Sequence, residues 1–225
     1  MIGMTEEFVR EAICKFCEHF SSQLKESFPL PNDHQIASFY RHLELVLAWN
    51  KKLNLISAKT NLELVENHLL DSLALALVIK KFITNDSEEI LDVGSGNGFP
   101  GIVLASVLKN PVHLCEVREK RAMFLKEVRR ELGLENVKVH CCKMEDLKAD
   151  DFSNLKFTTA RALGMHDIFR NESLRLFSRR NGYIVEMAGP NYIQPHGQLK
   201  VTNMFNFTLS KDNKSRSLVF LKCFT

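Results

Sequence analysis

Residues 90–101 have the sequence Ile90-Leu91-Asp92-Val93-Gly94-Ser95-Gly96-Asn97-Gly98-Phe99-Pro100-Gly101. An apolar, strand-like run ends in an acid and a valine, and a glycine-dense turn follows at once. Proline is favourable in the first turn of a helix, and an apolar stretch from Ile102 to Leu108 follows Pro100. Strand, glycine turn and helix form the first half of a nucleotide-binding βαβ unit. We therefore expect a ligand to lie against this turn.

Two ligands fit the glycines. Residues 96–101 match the dinucleotide pattern G-x-G-x-x-G, and Glu116 ends the next strand 20 residues after Gly96, where a ribose-binding acid is expected. Asp92, however, would repel a pyrophosphate. The run Asp-x-Gly-x-Gly-x-Gly also suits S-adenosylmethionine, which carries cationic groups and no phosphate, and Asp92 could hold its cationic end directly or through the turn. The pattern favours a methyl donor and leaves a dinucleotide open.

The composition is that of a soluble globular protein, with 45% hydrophobic and 25% charged residues in a chain of 225. A single C-x-x-C, Cys14 to Cys17, has no second pair at zinc-ligand spacing, so we expect no metal site. The N-terminal residues lack the apolar core of a signal peptide, and no apolar run is long enough to span a bilayer. We expect a cytoplasmic protein without membrane contact, and a monomer.

The net charge of +3 is unevenly distributed along the chain. It is −1 over residues 1–85, −2 over 86–150 and +6 over 151–225. The segment from Arg118 to Arg130 holds a further basic cluster. A positive surface on a nearly neutral protein can face a phosphate backbone, although such residues are also common on solvated helix faces. The asymmetry raises nucleic acid as a substrate without establishing it.

The spacing of apolar residues divides the chain into a helical part and an alternating part. Helices are predicted over Glu6 to Leu24, from Asn32 or Asp33 onward, and over Leu62 to Phe82, the last in one or two pieces. The strands predicted after residue 88 are 89–93, 112–117, 136–142, 156–160 and 182–187. The helices predicted between them are 100–109, 118–132 and 166–179. Two final strands, 201–207 and 217–224, surround the polar turn 211–214.

This alternation predicts an α/β fold of the Rossmann-like, S-adenosylmethionine-dependent methyltransferase type. The expected sheet has seven strands and is mostly parallel, with a C-terminal antiparallel hairpin, and an N-terminal helical extension precedes it. We expect residues 1–82 to form a helical region packed on the core and residues 83–225 to form the methyltransferase domain.

Several motifs together resemble one family. Asp92 to Gly101, with its Phe-Pro-Gly tail, is similar to the first motif of the GidB or RsmG family of bacterial 16S rRNA guanine-N7 methyltransferases. The other segments that resemble this family, in chain order, are Trp49-Asn50-Lys51-Lys52-Leu53-Asn54-Leu55, His68-Leu69-Leu70-Asp71-Ser72-Leu73, Lys120-Arg121-x-x-Phe124-Leu125, Met144-Glu145, Thr159-Ala160-Arg161-Ala162 and Arg216-Ser217-Leu218-Val219. They run from about residue 40 to residue 222.

The resemblance implies methyl transfer from S-adenosylmethionine to N7 of one guanosine of 16S rRNA, position 527 for the family, leaving S-adenosylhomocysteine. The partner would be 16S rRNA or the 30S subunit. Cofactor-binding roles are implied for Gly94, Gly96, Gly98, Phe99, Glu116, Met144, Glu145 and Arg161. The glycines would shape the turn, Phe99 would pack against the cofactor, and Glu116 would bind the ribose. Met144 and Glu145 would lie by the adenine, and Arg161 would pair with the cofactor carboxylate or an RNA phosphate.

The sequence names no catalytic residue, and none is needed for transfer to N7, which loses no proton. His68 and Asp71 could approach the guanine or could form hydrogen bonds on the helix surface. Trp49 is expected in the core, with stacking on an RNA base as the alternative. Family members usually carry a lysine where Ala188 stands here. Its absence leaves two outcomes open: weaker or different binding of the RNA, or compensation by Lys200 or by a residue of the 211–216 turn.

Alternative functions remain open at this point. They are a methyltransferase for another RNA or a small molecule, a non-catalytic rRNA-binding protein, and a dehydrogenase that would bind NAD. The sequence does not say whether naked rRNA, an assembly intermediate or the mature subunit would be the substrate.

Overall fold

A computed structural model describes residues 3–161, 166–177, 181–189, 192, 194–195, 197–209 and 215–223. The strands are β1 (Glu89–Val93), β2 (Val112–Cys115), β3 (Val137–His140), β4 (Leu155–Arg161), β5 (Tyr183–Ala188), β6 (Leu199–Thr208) and β7 (Ser215–Cys223). The helices are α1 (Glu6–Leu24), α2 (Asp33–Leu53), α3 (Asn61–Leu64), α4 (Asp71–Ile79), α5 (Gly101–Val107), α6 (Glu119–Glu131) and α7 (His166–Phe177).

The seven strands form one sheet in the order β3-β2-β1-β4-β5-β7-β6. The first five are parallel, whereas β7 runs antiparallel to both β5 and β6. All five residues of β1 are buried, as expected for a central strand covered on both faces. This confirms the predicted methyltransferase fold with its C-terminal hairpin. The carboxyl ends of the parallel strands meet at one edge, where such sheets bind ligands.

The N-terminal helices have clear local causes. The Thr5 hydroxyl accepts a hydrogen bond from the backbone of Phe8 at the start of α1, and Asn32 and Gln35 form a reciprocal capping box before α2. The helix α2 ends at Asn54, which is left-handed with φ 48°. One continuous apolar cluster joins these helices to one face of the sheet, and α4 is buried along its whole length. The first helices therefore form a layer of the core.

The segment before α4 differs from the prediction. A single π-helical stretch, Val65–Leu70, joins α3 to α4, and α4 ends at Ile79, three residues before Phe82. A π-helical turn inserts one residue per turn, and such turns often occur at functional sites. This insertion turns the side chains of Asn67, His68 and Asp71 toward the ligand edge of the sheet, where all three line a cavity.

The remaining predicted boundaries lie within two residues of the observed ones. The second and third strands end two residues earlier than predicted, at Cys115 and His140. The polar turn 211–214, residues 178 and 179 of the predicted helix 166–179, and residue 224 lie outside the described residues. None of the described helices combines the length and apolar character needed to cross a membrane.

Candidate functional site

The glycine turn lies between β1 and α5, at the carboxyl edge of the sheet. Gly94, Gly96 and Gly98 have φ values of 72°, 49° and 87°, which residues with a Cβ rarely adopt. The backbone N–H groups of Gly94 and Ser95 donate to the Cys115 carbonyl at 2.8 and 3.1 Å. The turn is thus held to the end of β2, which leads directly into Glu116.

Two acidic side chains hold the turn from opposite sides. Asp92 is buried, and its Oδ2 accepts from the backbone N–H of Gly101 at 3.1 Å. Burial raises the pKa of Asp92 to about 7. Glu116 accepts from the N–H of Gly96 at 3.0 Å and from that of Arg118 at 2.8 Å. Asp92 lines neither cavity beside the turn, so its contact in the structure is with the turn itself.

At Gly98 and Gly101 the surrounding atoms leave no room for a side chain. A Cβ on Gly98 would lie 2.8 Å from His42 Nε2, and a Cβ on Gly101 would lie 2.2 Å from Leu114 Cδ2. A Cβ on Gly96 would meet nothing closer than 3.5 Å. Gly98 therefore packs against His42 and lines neither cavity, whereas Gly96 lies on the side of the turn that faces a cavity.

The first cavity has a volume of about 370 Å³. We call it the adenosine cavity after the ligand that is proposed for it below. It is mostly apolar and is lined by Val93, Gly94, Cys115, Glu116, Val117, Cys142, Lys143, Met144, Glu145, Ile168 and Phe169. Arg175 donates to the carbonyls of Met144 and Leu147 at 3.2 and 2.8 Å, which fixes the 3₁₀ turn Met144–Asp146. The predicted residues Glu116, Met144 and Glu145 thus meet here, and Arg175 is a supporting residue that the sequence did not reveal.

The second cavity, the cationic cavity, has a volume of about 450 Å³ and opens on the other side of Gly94. Its lining residues are Leu55, Asn67, His68, Asp71, Gly94, Gly96, Asn97, Phe99, Arg121, Arg161, Met187, Ala188, Gly189 and Arg216. Three arginines and one carboxylate give it a positive balance. Arg216, from the predicted 211–216 segment, lines the same cavity as Ala188, whereas Lys200 does not.

The predicted residues Phe99 and Arg161 lie in the cationic cavity. The Phe99 ring is buried and stacks on His42 with ring centroids 4.4 Å apart, and the Arg161 guanidinium lies 5.9 Å from its centroid. Arg161 donates through Nη1 to the Asn67 carbonyl at 2.8 Å and through Nη2 to His68 Nδ1 at 2.7 Å. Arg161 therefore anchors the π-helical stretch and still has further N–H groups available.

Two upstream residues have structural roles. Trp49 is partly buried, with its ring 5.7 Å from that of Phe124, so it packs against α6 as expected. Asn54 ends α2 in a left-handed conformation, and its N–H donates to the Asn50 carbonyl at 3.1 Å. In the described part of the chain, no three His, Cys, Asp or Glu side chains group in a way that could hold a metal ion.

His42 supports the turn and provides a pH-dependent test. Its Nε2 donates to the Asn97 carbonyl at 2.9 Å, while Nδ1 is buried and has no hydrogen-bond partner among the described residues. Burial lowers the pKa of His42 to about 4, so the unfolded chain, with a pKa near 6.5, binds the proton more tightly. The stability that neutral His42 provides is complete above pH 6.5 and is lost as the pH falls toward 4.

We expect His42→Gln, whose amide does not titrate, to reduce this acid sensitivity. Between pH 7 and pH 4 the free energy of unfolding of the wild type should fall by about 3 kcal/mol more than that of the variant. Urea unfolding at several pH values measures the difference. Other titrating groups are present in both proteins and cancel. Parallel pH curves would show that His42 titrates normally in the folded state.

The fold and the two cavities define an S-adenosylmethionine-dependent methyltransferase. The apolar adenosine cavity ends at a carboxylate suited to a ribose diol, and an open glycine turn separates it from the cationic cavity, so the residues present fit this cofactor. The family model GidB, described as rRNA small subunit methyltransferase G, matches residues 35–216, and the chain belongs to this family.

Individual relatives agree with this assignment. The chain is 30% identical to the ribosomal RNA small subunit methyltransferase G of Ureaplasma parvum serovar 3, over 82% of this chain and 78% of that protein. It is 32% identical to the protein of the same name from Francisella philomiragia, over 84% of each. A solved S-adenosylmethionine-dependent methyltransferase from Aquifex aeolicus shares the fold, with a TM-score of 0.53, 18% identity, and coverage of 72% of this chain and 93% of that one.

Proposed function

We propose that the protein methylates N7 of a single guanosine in 16S rRNA of the small ribosomal subunit. The observation that carries this proposal is the meeting of the two cavities at Gly94. One cavity suits the adenosine of the methyl donor. The other has the volume for a nucleobase and three arginines that can face RNA phosphates. The donor and the acceptor would then meet end to end across the glycine turn.

We assign the cofactor contacts by position. Glu116 would accept from the ribose hydroxyls, Glu145 from the adenine amine, and Met144 would form part of the apolar wall. Gly94 and Gly96 would let the ligand approach the backbone, and Phe99 with Arg161 would border the reacting end. S-adenosylmethionine, when bound, supplies a methyl group that passes to N7 as the carbon–sulfur bond breaks and its electron pair stays on sulfur.

The residues of the cationic cavity would position the guanine and exclude water, which are the main demands of this transfer. N7 carries a lone pair and no hydrogen, so no side chain has to remove a proton. His68 is poorly suited to remove a proton, because its Nδ1 accepts from Arg161 and burial lowers its pKa to about 3. In its folded state His68 is a hydrogen-bond donor through Nε2. The three arginines of the cavity would contact phosphates of the RNA backbone.

A methyl-transfer assay tests the proposal. The purified protein is incubated with labelled S-adenosylmethionine and with 16S rRNA or 30S subunits that lack the modification, and label is mapped by cleavage at N7-methylguanosine. We expect label at one guanosine. Unmodified RNA of the large subunit is the matched control substrate. Cofactor binding without label on either small-subunit substrate would contradict the proposal and favour a small-molecule substrate.

A further inference from the structure

Two side chains of the cationic cavity carry hydrogen-bonding groups that the cofactor roles above leave unused. His68 and Asp71 both line the cavity and come from one helical segment, three residues apart. Resting on the proposed function, we infer that this pair selects the target base. His68 Nε2–H donates to O6 of the guanine, and the Asp71 carboxylate accepts from its N1–H and its exocyclic amine.

The tautomer of His68 is fixed by Arg161. The Arg161 guanidinium has no acceptor and stays protonated, so its Nη2, 2.7 Å from His68 Nδ1, must donate. The side-chain amide of Asn97 lies 3.4 Å from the same Nδ1. Since His68 is neutral, its one ring proton is on Nε2. His68 therefore offers the cavity a donor and no acceptor.

Asp71 is a nearly buried carboxylate without a hydrogen bond in the described residues. Its side chain is only 8% exposed, and the nearest charged partner, Arg216 Nε, lies 3.6 Å from Oδ1. That separation exceeds the usual length of an N–H···O hydrogen bond. A buried carboxylate with free lone pairs requires donors. Guanine has two adjacent ones, N1–H and the exocyclic amine.

The donor on His68 and the acceptor on Asp71 together distinguish guanine from adenine. Guanine presents an acceptor at position 6 and a donor at N1, which match His68 and Asp71. Adenine presents the reverse, a donor at position 6 and an acceptor at N1, and it would leave both side chains opposed or unpaired. Contacts on this edge also leave N7 free. An arginine that bonded both O6 and N7 would occupy the atom to be methylated.

The test uses 16S rRNA assembled by ligation with inosine in place of the methylated guanosine. Inosine keeps O6, N1–H and N7 but lacks the exocyclic amine. Loss of one hydrogen bond to a carboxylate should lower kcat/KM of the wild type about 10- to 100-fold. Equal rates on the two RNAs would overturn the inference while leaving the proposed function intact. Absence of transfer to either RNA would overturn both.

Asp71→Asn separates recognition of the base from binding of the cofactor. Its amide group places a donor against the guanine amine, so the preference for guanosine over inosine should fall to within about threefold. Affinity for S-adenosylhomocysteine should stay within about threefold of the wild type. Loss of that affinity in the folded variant would instead assign Asp71 to the ammonium group of the cofactor. Thermal unfolding reports whether the variant is folded. If the variant does not fold, the rates of the wild-type protein on guanosine RNA and inosine RNA still test the inference.

His68 is tested by a matched pair of variants. The amide of His68→Gln can donate to O6, whereas His68→Leu cannot. With guanosine RNA, the Gln variant should retain at least about tenfold more kcat/KM than the Leu variant, at equal affinity for S-adenosylhomocysteine. Equal rates for the two variants would show that His68 donates nothing to the base.

Discussion

Replacing Glu116 with alanine should weaken binding of S-adenosylhomocysteine by at least about 100-fold. Glu116 is buried, and its two oxygens accept from the backbone N–H groups of Gly96 and Arg118. The substitution leaves both N–H groups without an acceptor and removes the proposed contacts with the ribose. The loss of two hydrogen bonds from the ribose hydroxyls to the charged Glu116 carboxylate, each worth about 1.5–3 kcal/mol, accounts for a change of this size.

The control for this prediction is Glu119→Ala. Glu119 is an exposed carboxylate in the first turn of α6, three residues from Glu116, and lines neither cavity. Isothermal titration of both variants with S-adenosylhomocysteine provides the comparison. An affinity of the Glu116 variant within about threefold of the wild type would show that the adenosine cavity binds something other than a ribose.

The fold could be predicted because its signals are local. Periodicity of apolar residues gives strands and helices, and the glycine turn gives the ligand edge. In the adenosine cavity, Glu116 follows directly from β2, and Met144 and Glu145 follow from β3, so proximity to the edge was readable from sequence. Parallel strands bring their carboxyl ends together without any further information.

The cationic cavity was less predictable because its contacts are long-range. The hydrogen bond from Arg161 to His68 joins residues 93 positions apart, and it depends on a π-helical stretch that has no sequence signature. Periodicity predicted an ordinary helix there, so the direction of Asn67, His68 and Asp71 could not be known. Likewise, the contact of Gly98 with His42 joins the turn to α2, and spacing within the motif gives no sign of it.

A buried ion pair beneath the cationic cavity provides the second large effect. Glu186 of β5 accepts from Arg170 of α7 at 3.0 Å from Nε and 2.8 Å from Nη2, and each side chain is 3% exposed. His166 Nδ1 lies 3.2 Å from the same carboxylate. The strand that carries Glu186 ends at Ala188, which lines the cavity. The pair therefore connects α7 to the cavity wall.

Glu186→Leu should lower the free energy of unfolding by about 3–5 kcal/mol, because it leaves the charge of Arg170 buried without its bidentate partner. Asp167→Asn is the matched control, since that carboxylate lies 3.5 Å from Arg170 Nη1 but is 82% exposed, and it should cost at most about 1 kcal/mol. The double variant Arg170→Met with Glu186→Leu should recover most of the loss, since it also removes the buried charge of Arg170. Urea unfolding of the wild type and these three variants measures the losses. Equal losses in the single and double variants would mean that packing of the Glu186 side chain, and not its charge, joins α7 to the wall of the cavity.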